Sequence, residues 1–173
     1  TTIRHLMGFL KPEKGRCMIN GMACWENSAE IQKNLGYIPG EMAFFDDMTG
    51  TEFLSFMARY RKMKAGGRTK ELLDRFELDG RIKIKRMSKG MKQKVGIVAA
   101  FMHDPDVLIL DEPTSGLDPL MQNRFSELIL EEKARGKTIL MSSHSFEEVE
   151  RSCHRVAIIK NGRLVAMDSV DAL

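Results

Sequence analysis

The sequence predicts an α/β fold, with helices flanking a largely parallel sheet and a helical subdomain inserted into it. Three observations predict this. Residues 106–110 end in the run Val-Leu-Ile-Leu, the kind of segment that forms a strand buried on both faces, and 138–141 reads as a second buried strand. Residues 121–134 between them carry helical periodicity, so strand, helix and strand alternate as in a parallel sheet. From about 49 to 104 the chain is instead helical and more charged, which marks the insertion; the whole of 1–173 reads as one domain.

The elements follow in order. Residues 1–10 place Ile3, Leu6, Met7 and Leu10 at helical spacing, and Pro12 and Gly15 close that helix. A short strand over 16–19 ends at the turn pair Asn20-Gly21, and 34–39 reads as another short strand. Helices are expected over 51–60 and 68–76, separated by Gly66-Gly67. A basic stretch over 81–94 leads into a helix with Val95, Val98, Ala99 and Met102 on one face. In the helix over 121–134, Phe125, Leu128 and Ile129 face inward and Gly136 follows as the stop. Ser145 and Glu148 have the spacing of a capping box. Segments 155–160 and 163–167 flank Asn161-Gly162, a hairpin signal.

Composition narrows the function classes. The chain has 173 residues, 43% hydrophobic and 29% charged, with a net charge of +3, so bulk charge announces no nucleic-acid binder. No apolar run approaches the roughly 20 residues of a spanning helix. The three cysteines, Cys17, Cys24 and Cys153, form no C-x-x-C pair and fit a reducing cytoplasm. The 13 methionines fall mostly on apolar faces and read as core filling.

Chemistry concentrates at the end of the strand Val107-Leu108-Ile109-Leu110, where Asp111 and Glu112 follow directly. Ligands of open α/β sheets bind at the carboxyl ends of strands. There Asp111 can hold magnesium and Glu112 can act as a general base on water; two solvated surface acids would give the same sequence. Met87-Ser88-Lys89-Gly90-Met91 opens a helix 23 residues before Asp111, with a hydroxyl and a bare backbone at an anion-attracting helix start. Thr114-Ser115-Gly116-Leu117-Asp118-Pro119 follows the carboxylates, and His144 stands after the second strand, on the same side of the sheet.

Together these residues resemble the ATP-binding cassette family. Ser88-Lys89-Gly90-Met91 matches the family signature, Leu108 to Glu112 the Walker B strand, Ser115-Gly116-Leu117-Asp118 the D-loop and His144 the switch histidine. The likeness runs over the whole chain, and its Ser-Lys-Gly-Met signature is similar to that of cassettes serving ABC-2-type exporters. The resemblance implies a P-loop NTPase-like fold and an ATPase that uses ATP and Mg2+. It implies a head-to-tail pair with a second nucleotide-binding domain, in which Ser88, Lys89, Gly90 and Met91 complete the partner's ATP site with Ser115 and Asp118. Asp111 then orders magnesium, Glu112 the attacking water and His144 the γ-phosphate. It further implies a membrane-spanning permease contacted by the helical segment, a cytoplasmic place at the inner face of the cell membrane, and export as the direction. No nucleic-acid partner is expected.

The sequence departs from the family in three places. The family's Gly-Lys-Ser/Thr loop directly precedes the segment that resembles Thr1-Thr2-Ile3-Arg4. The expectation is therefore a truncated cassette without its phosphate loop and first strands, in which Thr1 and Thr2 keep marginal nucleotide contacts. Gly40 stands where many cassettes carry a magnesium-contacting glutamine; Glu41 beside it is either a substitute ligand or a surface acid. Lys89 replaces a usual glycine. Arg81, Lys83, Lys85, Arg86, Lys89, Lys92 and Lys94 form a basic stretch that reads as a solvated face beside a phosphate site. Two further readings stay open: a non-catalytic remnant that only donates its signature to an intact cassette, and a nucleic-acid-associated ABC-type ATPase. Salt-sensitive binding to RNA or DNA would single out the last.

Overall fold

Glycine and proline punctuation in the first third gives way to regular strand and helix beyond Leu35, and a computed structural model describes residues 1–63 and 67–170. Gly66, half of the expected glycine break, lies outside the described residues. Helix α1 (Thr2–Leu6) is shorter than its apolar spacing suggests, because Gly8 turns the chain at φ +70°. Strands β1 (Met18–Ile19) and β2 (Met22–Ala23) form a small antiparallel hairpin around Asn20-Gly21. Helix α2 (Ser28–Lys33) was not anticipated by periodicity. Strand β3 (Leu35–Ile38) follows directly.

Helix α3 (Gly50–Tyr60) opens with a complete capping box: the Thr49 hydroxyl accepts from Glu52 N, and the Glu52 carboxylate accepts from Thr49 N at 2.7 Å. Helices α4 (Arg68–Arg75) and α5 (Lys89–Phe101) complete the helical block. Strand β4 (Val107–Asp111), helix α6 (Pro119–Ala134), strand β5 (Thr138–Ser142), helix α7 (Phe146–Ser152) and the hairpin β6 (Arg155–Lys160) with β7 (Arg163–Ser169) close the chain. Asn161 and Gly162 both take positive φ, as a two-residue hairpin turn requires.

Strand β4 is the central member of a parallel sheet ordered β3-β4-β5, with Ile38 opposite Leu110 and Asp111 opposite Ser142. The parallel α/β architecture expected from the sequence is thus present. Val107 to Leu110 are all buried. Gly36 lets α5 lie against β3, since a Cβ there would come within 2.3 Å of the Ala100 carbonyl oxygen. One apolar cluster joins Phe53, Leu54, Leu72 and Phe76 of the helical block to Leu108, Leu110 and Phe125 of the sheet layer, so block and sheet share one core.

Strand β5 departs from expectation. Instead of being buried it alternates, and Leu140 is 43% exposed. Composition signals that a strand is apolar, and burial needs a neighbour to cover it. Ion pairs tie the helical block to α6: Arg75 donates to Glu131 at 2.8 Å and Arg124 to Glu77 at 2.6 Å. Glu132, with a side chain only 1% exposed, is surrounded by Arg68, Arg135 and Lys137.

Candidate functional site

The site grows from the end of β4. There Asp111 leaves the buried run and Glu112 turns sharply at φ +49°. The Glu112 N–H is thereby aimed at β5 and donates to both the Ser142 carbonyl and the Ser142 hydroxyl at 3.2 Å. The Ser142 hydroxyl in turn donates to Asp111 Oδ1. Ser142, which the sequence did not single out, therefore fixes both carboxylate-bearing residues. On the Oδ2 side Gly40 lies close to Asp111, where a Cβ would stand 3.2 Å from Oδ2.

His144 sits beyond β5 with its ring 95% exposed, and its Nε2 is 3.3 Å from Glu112 Oε1. The two residues expected to act on water and phosphate are thus neighbours. Around them the capping expected of Ser145 and Glu148 is only half made. The Ser145 hydroxyl accepts from Glu148 N at 3.3 Å, while the Glu148 carboxylate turns away to accept from the Ser143 hydroxyl at 2.5 Å. Burial pushes the Glu148 carboxyl above its ordinary pKa, and the nearby Glu112 charge adds to the rise.

Helix α5 brings the signature residues to the loop that follows Glu112. Ser88 caps the helix by accepting from Met91 N at 3.2 Å, which leaves its hydroxyl proton free to donate outward. A Cβ on Gly90 would stand 2.6 Å from the Gly116 carbonyl oxygen, and one on Gly116 would stand 3.0 Å from the Lys89 stem. The Gly90 position is therefore needed for packing within the chain itself. The buried Gln93 side chain donates to the Pro113 carbonyl at 2.6 Å. Gln93 was also missed by sequence reasoning, because a lone polar residue on a helix carries no sign of a partner 20 positions away. Met91 is half-buried in the same helix. Ser115 lies in the turn closed by its N–H on the Glu112 carbonyl at 3.1 Å, and Asp118 caps α6 by accepting from Met121 N at 3.1 Å.

Other expected site residues are not brought in. Thr1 and Thr2 are exposed, and among the described residues neither side chain is bonded to Asp111 or Glu112. Glu41 is exposed, and Gly40 rather than Glu41 lies against Asp111. Among the described residues no cluster of three or more histidine, cysteine or carboxylate side chains could hold a metal. The chemistry at Asp111 still fits magnesium, which takes one or two carboxylates and fills its other positions with water and phosphate oxygens. Of the basic stretch, Arg81 is paired with Asp79 at 2.9 Å and Lys85 with Asp47 at 2.7 Å.

Comparison with known proteins decides the family. The model of the family described as ABC transporter matches residues 1–115. This chain belongs to the ABC transporter ATP-binding protein family. An uncharacterised ABC transporter ATP-binding protein of Nostoc is 39% identical over all of the chain and 53% of its own length. The ABC transporter ATP-binding protein NatA of Bacillus subtilis is 34% identical over all of the chain and 73% of its own length. The Nod factor export ATP-binding protein I of Paraburkholderia xenovorans is 35% identical, with 59% of its length covered. The chain spans about half the length of several curated relatives. A solved ATP-binding subunit of an ABC transporter, 34% identical, superposes with a TM-score of 0.88 over 99% of the chain and 73% of its own. A second cassette, a dimer in a post-hydrolysis state bound to ADP and Pi, shares the fold at a TM-score of 0.83 and 19% identity. In this ABC ATPase fold the parallel sheet is flanked by helices, and among the described residues no helix is long and apolar enough to cross a membrane.

Proposed function

We propose that this chain is the nucleotide-binding part of an ABC exporter ATPase, in which ATP hydrolysis at the end of β4 drives transport through a membrane permease. The observation that carries the reading is the arrangement of Asp111, Glu112 and His144: adjacent carboxylates on a strand end, one held by Ser142, the other 3.3 Å from an exposed imidazole. Glu112 takes a proton from water as general base, and His144 donates to a γ-phosphate oxygen. Asp111 would hold magnesium, which, when bound, neutralises charge on the phosphates. Ser88, Gly90 and the neighbouring helix start offer donors to the nucleotide of a second cassette, with Lys89, Met91, Ser115 and Asp118 beside them. Residues 49–104 form the helical subdomain of this reading.

A partner surface is also present. Phe45 is 55% and Tyr60 76% exposed; Phe45, in the loop before α3, meets Phe56 edge to face at a centroid separation of 5.7 Å, and Phe56 stacks with Tyr60 at 6.5 Å. Exposed aromatics in a row are the composition of an interface centre, and here they would face the permease at the inner side of the cell membrane. Export rests on the relatives whose names state it.

The test is ATP turnover by the protein that contains this chain, beside its Glu112→Gln variant. Glu112→Gln should lower turnover by about 100-fold or more while Mg-ATP binding by calorimetry stays within a few-fold. Turnover unchanged in Glu112→Gln would refute the assignment.

A further inference from the structure

We propose that Glu148 is a positioning residue for His144, fixing the turn that carries the imidazole. The proposal rests on the reading of His144 as a phosphate contact. An exposed side chain has no packing to hold it, so the position of the His144 ring is inherited from its backbone. Three hydrogen bonds close that backbone without touching the ring. The Ser143 hydroxyl donates to Glu148 Oε2 at 2.5 Å and accepts from Ser145 N at 3.0 Å, while Glu148 N donates to the Ser145 hydroxyl at 3.3 Å.

Glu148 is the exception on its helix. Its neighbours Glu147 and Glu150 are exposed, as acids on a short surface helix should be, whereas Glu148 is 9% exposed. Burying a carboxyl is costly unless its oxygens are engaged. One oxygen is engaged by Ser143. The other, Oε1, is buried without a hydrogen-bond partner among the described residues. Glu148 thus holds the Ser143–Ser145 turn from its buried side, through the Ser143 hydroxyl.

The experiment is site-resolved amide exchange and histidine-ring NMR on the nucleotide-free 173-residue chain. Glu148→Ala should speed exchange of the Ser145 amide by about tenfold and move the His144 ring resonance to its free-solvent position, with β4 amides unchanged. Ser143→Ala, which removes the bridge without opening a large void, should do the same. Glu148→Gln, whose amide oxygen still accepts from Ser143, should restore exchange to within about twofold of the parent. Unchanged exchange and ring shift in both alanine variants would overturn the proposal. So would a glutamine variant as loose as the alanine one, or a loss of protection spread equally over β4. None of these readouts uses nucleotide. A correctly held His144 in a protein that binds no Mg-ATP would defeat the functional reading alone.

Discussion

Strand β4 and the β6–β7 hairpin are both built mostly of apolar residues and differ in what covers them. Val107 to Leu110 are buried on both faces, between the helical block on one side and α1 and α2 on the other. In the hairpin, Ile159, Leu164 and Val165 are each at least 56% exposed, and Leu140 on the free edge of β5 shows the same openness. Both regions are paired strands, the hairpin with a register irregularity between Ile158 and Ile159, so strand formation here does not depend on burial. What burial adds is the energetic weight of each side chain.

The largest test of that difference is a matched pair of truncations. Leu110→Ala should cost about 3–4 kcal/mol in urea unfolding, the transfer loss plus the cavity left in a packed core. Ile159→Ser should stay within about 0.5 kcal/mol. Equal losses would mean that the hairpin is covered in solution. The next effect is electrostatic. Removing Glu132 by Glu132→Ala takes one of the two carboxylate partners of Lys137, whose side chain is only 6% exposed, leaves Asp104 as the other, and should cost about 2 kcal/mol by the same measurement. Arg81→Ala, at an exposed pair, should be nearly silent.

A pH scan sharpens the comparison further. Burial, followed by the nearby Arg61 charge, lowers the His103 pKa from 6.5 to about 4. The folded protein therefore keeps His103 neutral where the unfolded chain takes up a proton. Its contribution is whole above pH 6.5 and is lost as pH falls towards 4. Glu148, raised by burial, acts with the opposite sign, so the diagnostic is a difference. His103→Gln should show a smaller fall in Tm than the parent between those two limits, and identical slopes would refute the assignment. The smallest effect is at helix starts. Thr49→Ala, which removes a complete capping box, should cost about 1 kcal/mol, and Ser145→Ala, at a half-made one, less.

Sequence reading recovered the features with local signals. The β4 run, the Asn161-Gly162 turn and the α5 start are each specified by neighbours in the chain, and the structure places them where periodicity and turn chemistry indicate. Helix α2 escaped because six residues with a single buried side chain, Ile31, carry too little periodicity. The exposure of β5 escaped because it depends on what lies beside the strand. Within the site, Asp111, Glu112 and His144 were named from the sequence, while Ser142, Gln93 and Glu148 were given no such part. All three act through partners that are remote in sequence or that a capping pattern assigns elsewhere.

The backbone of Glu112 has a further consequence. A left-handed conformation at a residue with a Cβ costs about 1 kcal/mol, and asparagine or glycine occupies it more readily. Glu112→Asn should therefore keep or slightly raise the unfolding free energy while removing the proposed base. Stability and chemistry make opposite demands on this one position. A library screened only for folding should drift away from glutamate at 112, and one screened for turnover should hold it.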